Sequence, residues 1–437
     1  MIDELKKKID ERNYKVAVVG LGYVGLPLAV EFAKGGFPVV GIDIDRKKTD
    51  AINSGRSYIP DISDRDLKRA QEEGGLVATT EFSRIGEVDA IIICVPTPLS
   101  KTRDPDISYI MSALSEIKKY LKRGHVVSLE STTYPGTTDE LVRPTLEKSG
   151  LKAGTDFYLA FSPERIDPGN RVYTVKNTPK VVGGINKDST EIVSYLYSRV
   201  LEKVVPVSSC KVAEMSKLLE NTFRSINIAL ANEMAIMCNI LGVDVWEVIE
   251  AAATKPFGFM KFYPGPGIGG HCIPIDPLYL SWKLRTLNYN ARMIEVASEI
   301  NTSMPRYVVE RVADALNEHM KSVKGSKILV LGIAYKKDVN DTRESPAFDV
   351  IKLLEIKGAS VEYNDPFVPS ARINGHFKDS VELTGDRLKQ TDCVIITTDH
   401  SVYDYEFIVK NARLVVDTKN ATKGLSENLI RGKVVKL

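Results

Sequence analysis

Residues 14–20 read YKVAVVG, an unbroken β-branched apolar run stopped by glycine, and Gly25–Lys34 then takes the spacing of a helix. Strand, tight turn and helix follow in that order. A second apolar run at 38–42 ends at Asp43, and others stand at 90–95, 126–129 and 157–161, alternating with helical stretches such as 107–121. Strands alternating with helices predict a mostly parallel, doubly wound sheet.

From Cys210 to Leu241 the pattern becomes one long helix, with Gly242 as its stop and a second helical run at 244–253. Residues 256–277 are dense in glycine and proline, which marks a shaped loop. Helical character resumes at Pro277 and runs through Met304 to His319, long enough to connect two domains. The opening theme then recurs. KILVLG at 327–332 is a buried strand ending on glycine, followed by a helix at 345–357 and strands at 360–363, 393–397 and 413–417. The fold class expected is α/β, with two Rossmann-like doubly wound sheets joined by a central helical domain. The boundaries fall at 1–208, 209–304 and 305–437. There is no short tandem repeat and no low-complexity tract.

Composition narrows the picture. Of 437 residues 43% are hydrophobic and 27% charged, as in a globular domain protein, and 59 Lys and Arg face 57 acids, a formal net charge of +2. That balance argues against nucleic acid as partner, so an anionic ligand must be met locally. The charged N-terminus lacks the apolar run of a signal peptide and no stretch reaches a membrane span, so a cytoplasmic location is expected. The five cysteines have no CxxC spacing and fit neither a disulfide framework nor a zinc site, so no metal is expected. Cys94, Cys238 and Cys393 sit in apolar runs as core residues, and Cys210 has no chemical context.

Gly20, Gly22 and Gly25 form G-x-G-x-x-G at the strand-to-helix junction. The first permits the turn, the second lets backbone approach a pyrophosphate, and the third allows close helix packing. The helix N-terminus attracts the diphosphate. Asp43 follows at the ~20-residue spacing of a carboxylate that bonds the adenosine ribose and repels a 2′-phosphate, so the cofactor is NAD. Arg46, Lys47 and Lys48 nearby either weaken the preference for NAD over NADP or are a solvated charge run, and Lys48 is assigned to the cofactor. Thr97, in the VPTP turn at 95–98, is a cofactor contact or a plain turn residue.

The loop GPGIGGHCIPIDP (265–277) sets Cys272 among glycines that remove side-chain bulk, so that a ligand lies against the backbone. Packing explains such a cysteine poorly and a nucleophile explains it well. His271 beside it reads as structural. Asp276 before Pro277 is either a helix N-cap or a catalytic carboxylate. Lys217 and Asn221, four apart with Glu214 on the same stripe, form a surface stripe or a pair of oxyanion donors. Lys336, Lys337 and Arg343 lie after the strand of the second sheet, where a second nucleotide phosphate fits.

With those residues in view the chain resembles the UDP-sugar 6-dehydrogenases over nearly its whole length, most specifically at 213–233 (AEMSKLLENTFRSINIALANE), 265–277 and 334–345 (AYKKDVNDTRES). The resemblance implies an NAD domain, a helical dimerisation domain giving a homodimer, and a UDP-binding domain. It implies that Cys272 is the nucleophile, assisted by Lys217, Asn221 and Asp276. Glu164, in FSPERIDPGN (161–170), handles water or a proton, and Thr132, in ESTTYPGTT (130–138), lies near the reacting sugar. Tyr335, Lys336 and Arg343 match the region that holds UDP, with Tyr263 and Gly269 of the cysteine loop also assigned to the substrate. Residues 161–170 and 254–280 look like the UDP-N-acetylglucosamine branch, although the UDP-N-acetylmannosamine enzymes share much of this loop. The implied reaction takes a C6 alcohol to a carboxylate through a thiohemiacetal and a thioester on Cys272. A one-step alcohol dehydrogenase would need neither the loop cysteine nor the second nucleotide domain, and an NAD-sensing protein would show no turnover.

Overall fold

A computed structural model describes residues 2–59, 61–100, 104–167, 170 and 172–437. Pro168 and Gly169 of the 161–170 segment lie outside them, as do Met1 and Arg171. The chain divides into two compact units, Met1–Glu220 with Leu278–Tyr289, and Asn221–Pro277 with Asn290–Leu437.

The first unit is built on eight strands: β1 (Val16–Val19), β2 (Val39–Ile42), β3 (Val77–Thr79), β4 (Ala90–Ile93), β5 (Val126–Leu129), β6 (Tyr158–Phe161), β7 (Lys180–Gly184) and β8 (Val204–Val207), in the order 3-2-1-4-5-6-7-8. The first six follow the order of dinucleotide-binding sheets. Side chains alternate across the sheet, so Val16 and Val18 join one hydrophobic core while Ala17 and Val19 join the other. Burial on both faces is why these strands are apolar throughout. Strand β7 runs antiparallel to β6, with Phe161 opposite Gly183, and β8 is parallel to β7. Neither β3, β7 nor β8 was expected from the hydrophobic pattern.

In the second unit β9 (Lys327–Leu331), β10 (Ser360–Asn364), β13 (Cys393–Ile396), β14 (Val415–Asp417) and β15 (Val434–Lys436) form a parallel sheet in the order 10-9-13-14-15, and β11 (Ser370–Ile373) pairs with β12 (His376–Asp379) as a hairpin. The order reverses between β9 and β13, so the ligand crevice of this sheet opens at their carboxyl ends. Ile328 and Val330 pack into one core, Leu329 and Leu331 into the other.

The helix Cys210–Leu241 runs from one unit into the other and is closed by Gly242 at φ +69°. Asp244 caps the next helix, Val245–Ala252, through the backbone N–H groups of Trp246 and Glu247. The helical stretch expected from Pro277 to His319 is instead two helices, Asp276–Arg285 and Arg292–Glu318. Between them Asn288 takes φ +59° and the Tyr289 N–H returns to the Leu284 carbonyl, a left-handed stop that asparagine tolerates in place of glycine. Pro305 sits inside the second of these helices. Among the described residues no helix is long and apolar enough to cross a membrane.

Candidate active site

The glycine turn divides its labour among three residues. Gly20 has φ +92°, and a Cβ there would stand 2.6 Å from the Cys94 carbonyl oxygen; one on Gly25 would stand 1.8 Å from the Gly20 oxygen. Nothing lies within 4 Å of a Cβ on Gly22, so its face is open, as the approach of a pyrophosphate to the backbone requires. Asp43, buried at the end of β2, accepts 2.8 Å from the Leu21 N–H and 2.9 Å from the Asp45 N–H, and Lys48 donates to it at 3.1 Å. The carboxylate thus braces the glycine turn. Lys48 is its partner as well as a member of the charge run. These features fit the adenosine diphosphate half of NAD.

Thr97 is buried at the same sheet edge, and the Tyr279 hydroxyl donates to its carbonyl at 2.9 Å. Thr132 stands partly exposed in the loop after β5. Glu214 belongs to no surface stripe: it is buried, and its carboxylate accepts from Gly136 N–H (2.5 Å), Thr138 N–H (2.9 Å) and the Thr138 hydroxyl (2.7 Å). Desolvation raises its pKa while those donors lower it, the net shift being upward. It anchors the segment that follows Thr132. Lys217, one turn further along the helix, is only 7% exposed.

Glu164 is held on both oxygens. One accepts from the Arg165 and Ile166 N–H groups at 2.7 and 2.8 Å, the other from Lys180 Nζ at 3.2 Å.

In the second unit Asn221 (5% exposed) donates 2.5 Å to the Asp276 carboxylate (2% exposed). The side chain of Asp276 therefore reaches to the long helix, and the Asp276 N–H closes a helical turn on the Cys272 carbonyl at 2.8 Å. Cys272 is partly exposed, whereas the other four cysteines are buried.

The glycines of this loop do not face open space. A Cβ on Gly269 would lie 2.6 Å from the Tyr335 Cβ, one on Gly270 (φ +89°) 2.8 Å from the Tyr335 ring, and one on Gly267 3.0 Å from Pro346. The Gly270 N–H also donates to the Arg343 carbonyl at 3.0 Å. Close packing against residues 335–346 is one thing these glycines allow. It also ties the loop that carries Cys272 to residues 335–346 of the second sheet.

Within that segment Arg343 forks onto Asp341, with contacts of 2.5 to 3.0 Å, and Lys336 is partly buried. Lys337 lies 3.7 Å from Asp399. Tyr263 stacks on Trp246 (centroids 5.7 Å apart, 28° between planes) and donates 2.5 Å to Glu250. Asp365, at the end of β10, accepts from the Ile333 and Ala334 N–H groups at 2.7 and 2.9 Å, and His400 lies 3.2 Å from the same oxygen. Burial would raise the Asp365 pKa, but the hydrogen bonds from His400 and the backbone outweigh it and hold it below the usual range. The second sheet thus repeats the first, a carboxylate at the end of its second strand bracing the turn after its first. Lys419, just beyond β14, has its Nζ 3.0 Å from where a Gly265 Cβ would stand. Desolvation lowers its pKa, while Asp399 and Asp417 pull it the other way.

Three models of the UDP-glucose/GDP-mannose dehydrogenase family match in succession: its NAD binding domain at 14–201, its central domain at 211–303 and its UDP binding domain at 329–424. A UDP-N-acetyl-D-mannosamine dehydrogenase of Methanococcus maripaludis is 38% identical over 95% of each chain. The chain belongs to the UDP-glucose/GDP-mannose dehydrogenase family. A UDP-N-acetyl-D-glucosamine 6-dehydrogenase of Pseudomonas aeruginosa is 39% identical over 82% of this chain and 84% of its own. The solved UDP-D-ManNAc dehydrogenase of Pyrococcus horikoshii superposes with a TM-score of 0.87 at 34% identity, covering 97% of this chain and 98% of that one.

As a member of this family the chain uses NAD as cofactor and a UDP-sugar as substrate. Lys180, Lys419 and Asp365 escaped the sequence reading. Asp365 had a legible signal, the repeat of a strand ending in aspartate after a glycine-ended strand; the two lysines had none, because isolated lysines beside short strands look like surface residues.

Proposed function

We propose that this UDP-sugar dehydrogenase oxidises C6 of a UDP-N-acetylhexosamine to the carboxylate, with UDP-N-acetylglucosamine as the substrate favoured by residues 161–170 and 254–280. The observation that carries the reading is the partly exposed Cys272 one helical turn before the buried Asn221 and Asp276 pair. When bound, NAD accepts hydride from C6, and two molecules are reduced for each sugar. A base acting through water near Asp276 and Lys217 takes the hydroxyl proton. The Cys272 thiolate adds to the aldehyde as a thiohemiacetal, which on oxidation becomes a thioester. Water guided by Glu164 or Asp276 hydrolyses the thioester and returns the thiol, while Asn221 and Lys217 meet the oxyanions. Thr132 lines the sugar, and Tyr335, Lys336, Arg343, Tyr263, Gly269 and Lys419 hold the UDP-sugar.

A second reading, UDP-N-acetylmannosamine as substrate, is favoured by the name of the Methanococcus relative. NADH formation with UDP-N-acetylglucosamine, UDP-N-acetylmannosamine and UDP-glucose separates them. The first should give the highest kcat/KM; a preference for the second moves the assignment, and NADH from none of the three contradicts both readings.

A homodimer accompanies this function. Val212, Met215, Leu219, Phe223, Leu230, Met237 and Leu241 fall on one face of the long helix and are exposed, an apolar stripe suited to a second copy. Light scattering should report twice the chain mass, and the chain mass alone would contradict the pairing.

A further inference from the structure

Beneath Glu164 lies a buried charged chain that the mechanism above does not use. Lys180 Nζ stands 2.6 Å from a Glu130 oxygen and 3.2 Å from a Glu164 oxygen, with its side chain 6% exposed and that of Glu130 fully buried. The other Glu130 oxygen accepts from the Tyr197 hydroxyl, which also lies 3.2 Å from the Ser128 hydroxyl. Burial alone would drive Lys180 toward the neutral amine, but the two carboxylates outweigh it and its pKa stands above the usual lysine value. For Glu130 burial is the largest influence and leaves the pKa raised in spite of Lys180.

Topology explains the placement. Glu130 follows β5 and Glu164 follows β6, both at carboxyl ends of parallel strands, where doubly wound sheets bind ligands. Because β7 runs antiparallel to β6, its first residue, Lys180, arrives at that same edge. A buried ion pair is weak as a source of stability, since desolvation offsets the attraction. A cation embedded between two carboxylates at the ligand edge is better suited to fixing one of them.

We propose that Lys180, itself held by Glu130 and Tyr197, is a positioning residue that fixes the Glu164 carboxylate for the hydrolytic step. This rests on the reading of Glu164 given above. Three fixed donors, Lys180 and the N–H groups of Arg165 and Ile166, leave the carboxylate one orientation from which to direct a water. Misplacing such a group by about 1 Å costs on the order of 100-fold in rate.

The test is a mutant cycle on the full-length enzyme with NAD and the best UDP-sugar. Lys180→Met alone strands two buried carboxylates and is prone to misfold, so the probe is Lys180→Met with Glu130→Gln, which removes the buried pair together. That double variant should fold, keep both KM values within about threefold, and lose about 10- to 100-fold in kcat; the covalent adduct on Cys272 should accumulate in its mass spectrum. Adding Glu164→Gln should cost nothing further, because both changes disable one device. Lys180→Arg, which keeps the charge and the donors, should recover most of the rate. A double variant with wild-type kcat, or losses that multiply with Glu164→Gln, would overturn the positioning role while leaving the dehydrogenase reading intact. A wild-type chain that reduces no NAD with any UDP-sugar overturns both.

Discussion

The roles proposed for Cys272 and Asp43 can be tested separately. Cys272 is a partly exposed residue of a glycine-rich loop, so removing one sulfur atom opens no core cavity. Cys272→Ala should keep the melting temperature and the affinities for NAD and UDP-sugar while abolishing sustained formation of the uronate, as followed by chromatography of the sugar nucleotides. Cys272→Ser should trap the sugar as a slowly hydrolysed oxygen ester, visible by mass spectrometry. Repeated turnover of the alanine variant to acid at near wild-type rate would sink the nucleophile assignment. Asp43 braces the Leu21 N–H with its carboxylate, and the ribose contact expected of it is a second, separate duty. Asp43→Ala should weaken NAD binding in calorimetry much more than UDP-sugar binding, and cost about 1 to 3 kcal/mol of stability for the unsatisfied donor. Equal loss of both affinities would make Asp43 purely structural.

The cysteine loop and the segment 335–346 act as one element, because glycines let Tyr335 and Pro346 lie against the loop backbone. Gly270→Ala places a methyl 2.8 Å from the Tyr335 ring on a backbone at φ +89°, so it should destabilise by about 1 to 3 kcal/mol and weaken UDP binding. Gly86→Ala is the control, with open space around the new Cβ. If thermal melts and UDP titrations of the two variants coincide, the coupling of loop and nucleotide segment is wrong. The case marks where sequence reading stops. A run of glycines declares that side chains are missing, but not whether a ligand or another stretch of chain fills the space. The break at Asn288 was illegible for a related reason, since no glycine or proline marks it. The direction of β7, and with it the meeting of Lys180 and Glu164, depends on pairing that a short KVVGG run does not encode.

On the scale of the whole molecule, the two doubly wound sheets and the long helix were legible because buried strands read as unbroken apolar runs and the helix keeps one period for 32 residues. A sheet with an NAD-type turn and a sheet of the UDP binding family stand in one chain with Cys272, and this cysteine is proposed to keep the aldehyde attached between two oxidations. The most direct measurement is the yield of NADH against UDP-sugar consumed to completion, with a trap for free aldehyde present. The account predicts two NADH per sugar and no trapped aldehyde; one NADH per sugar, with the aldehyde recovered in the trap, would contradict it.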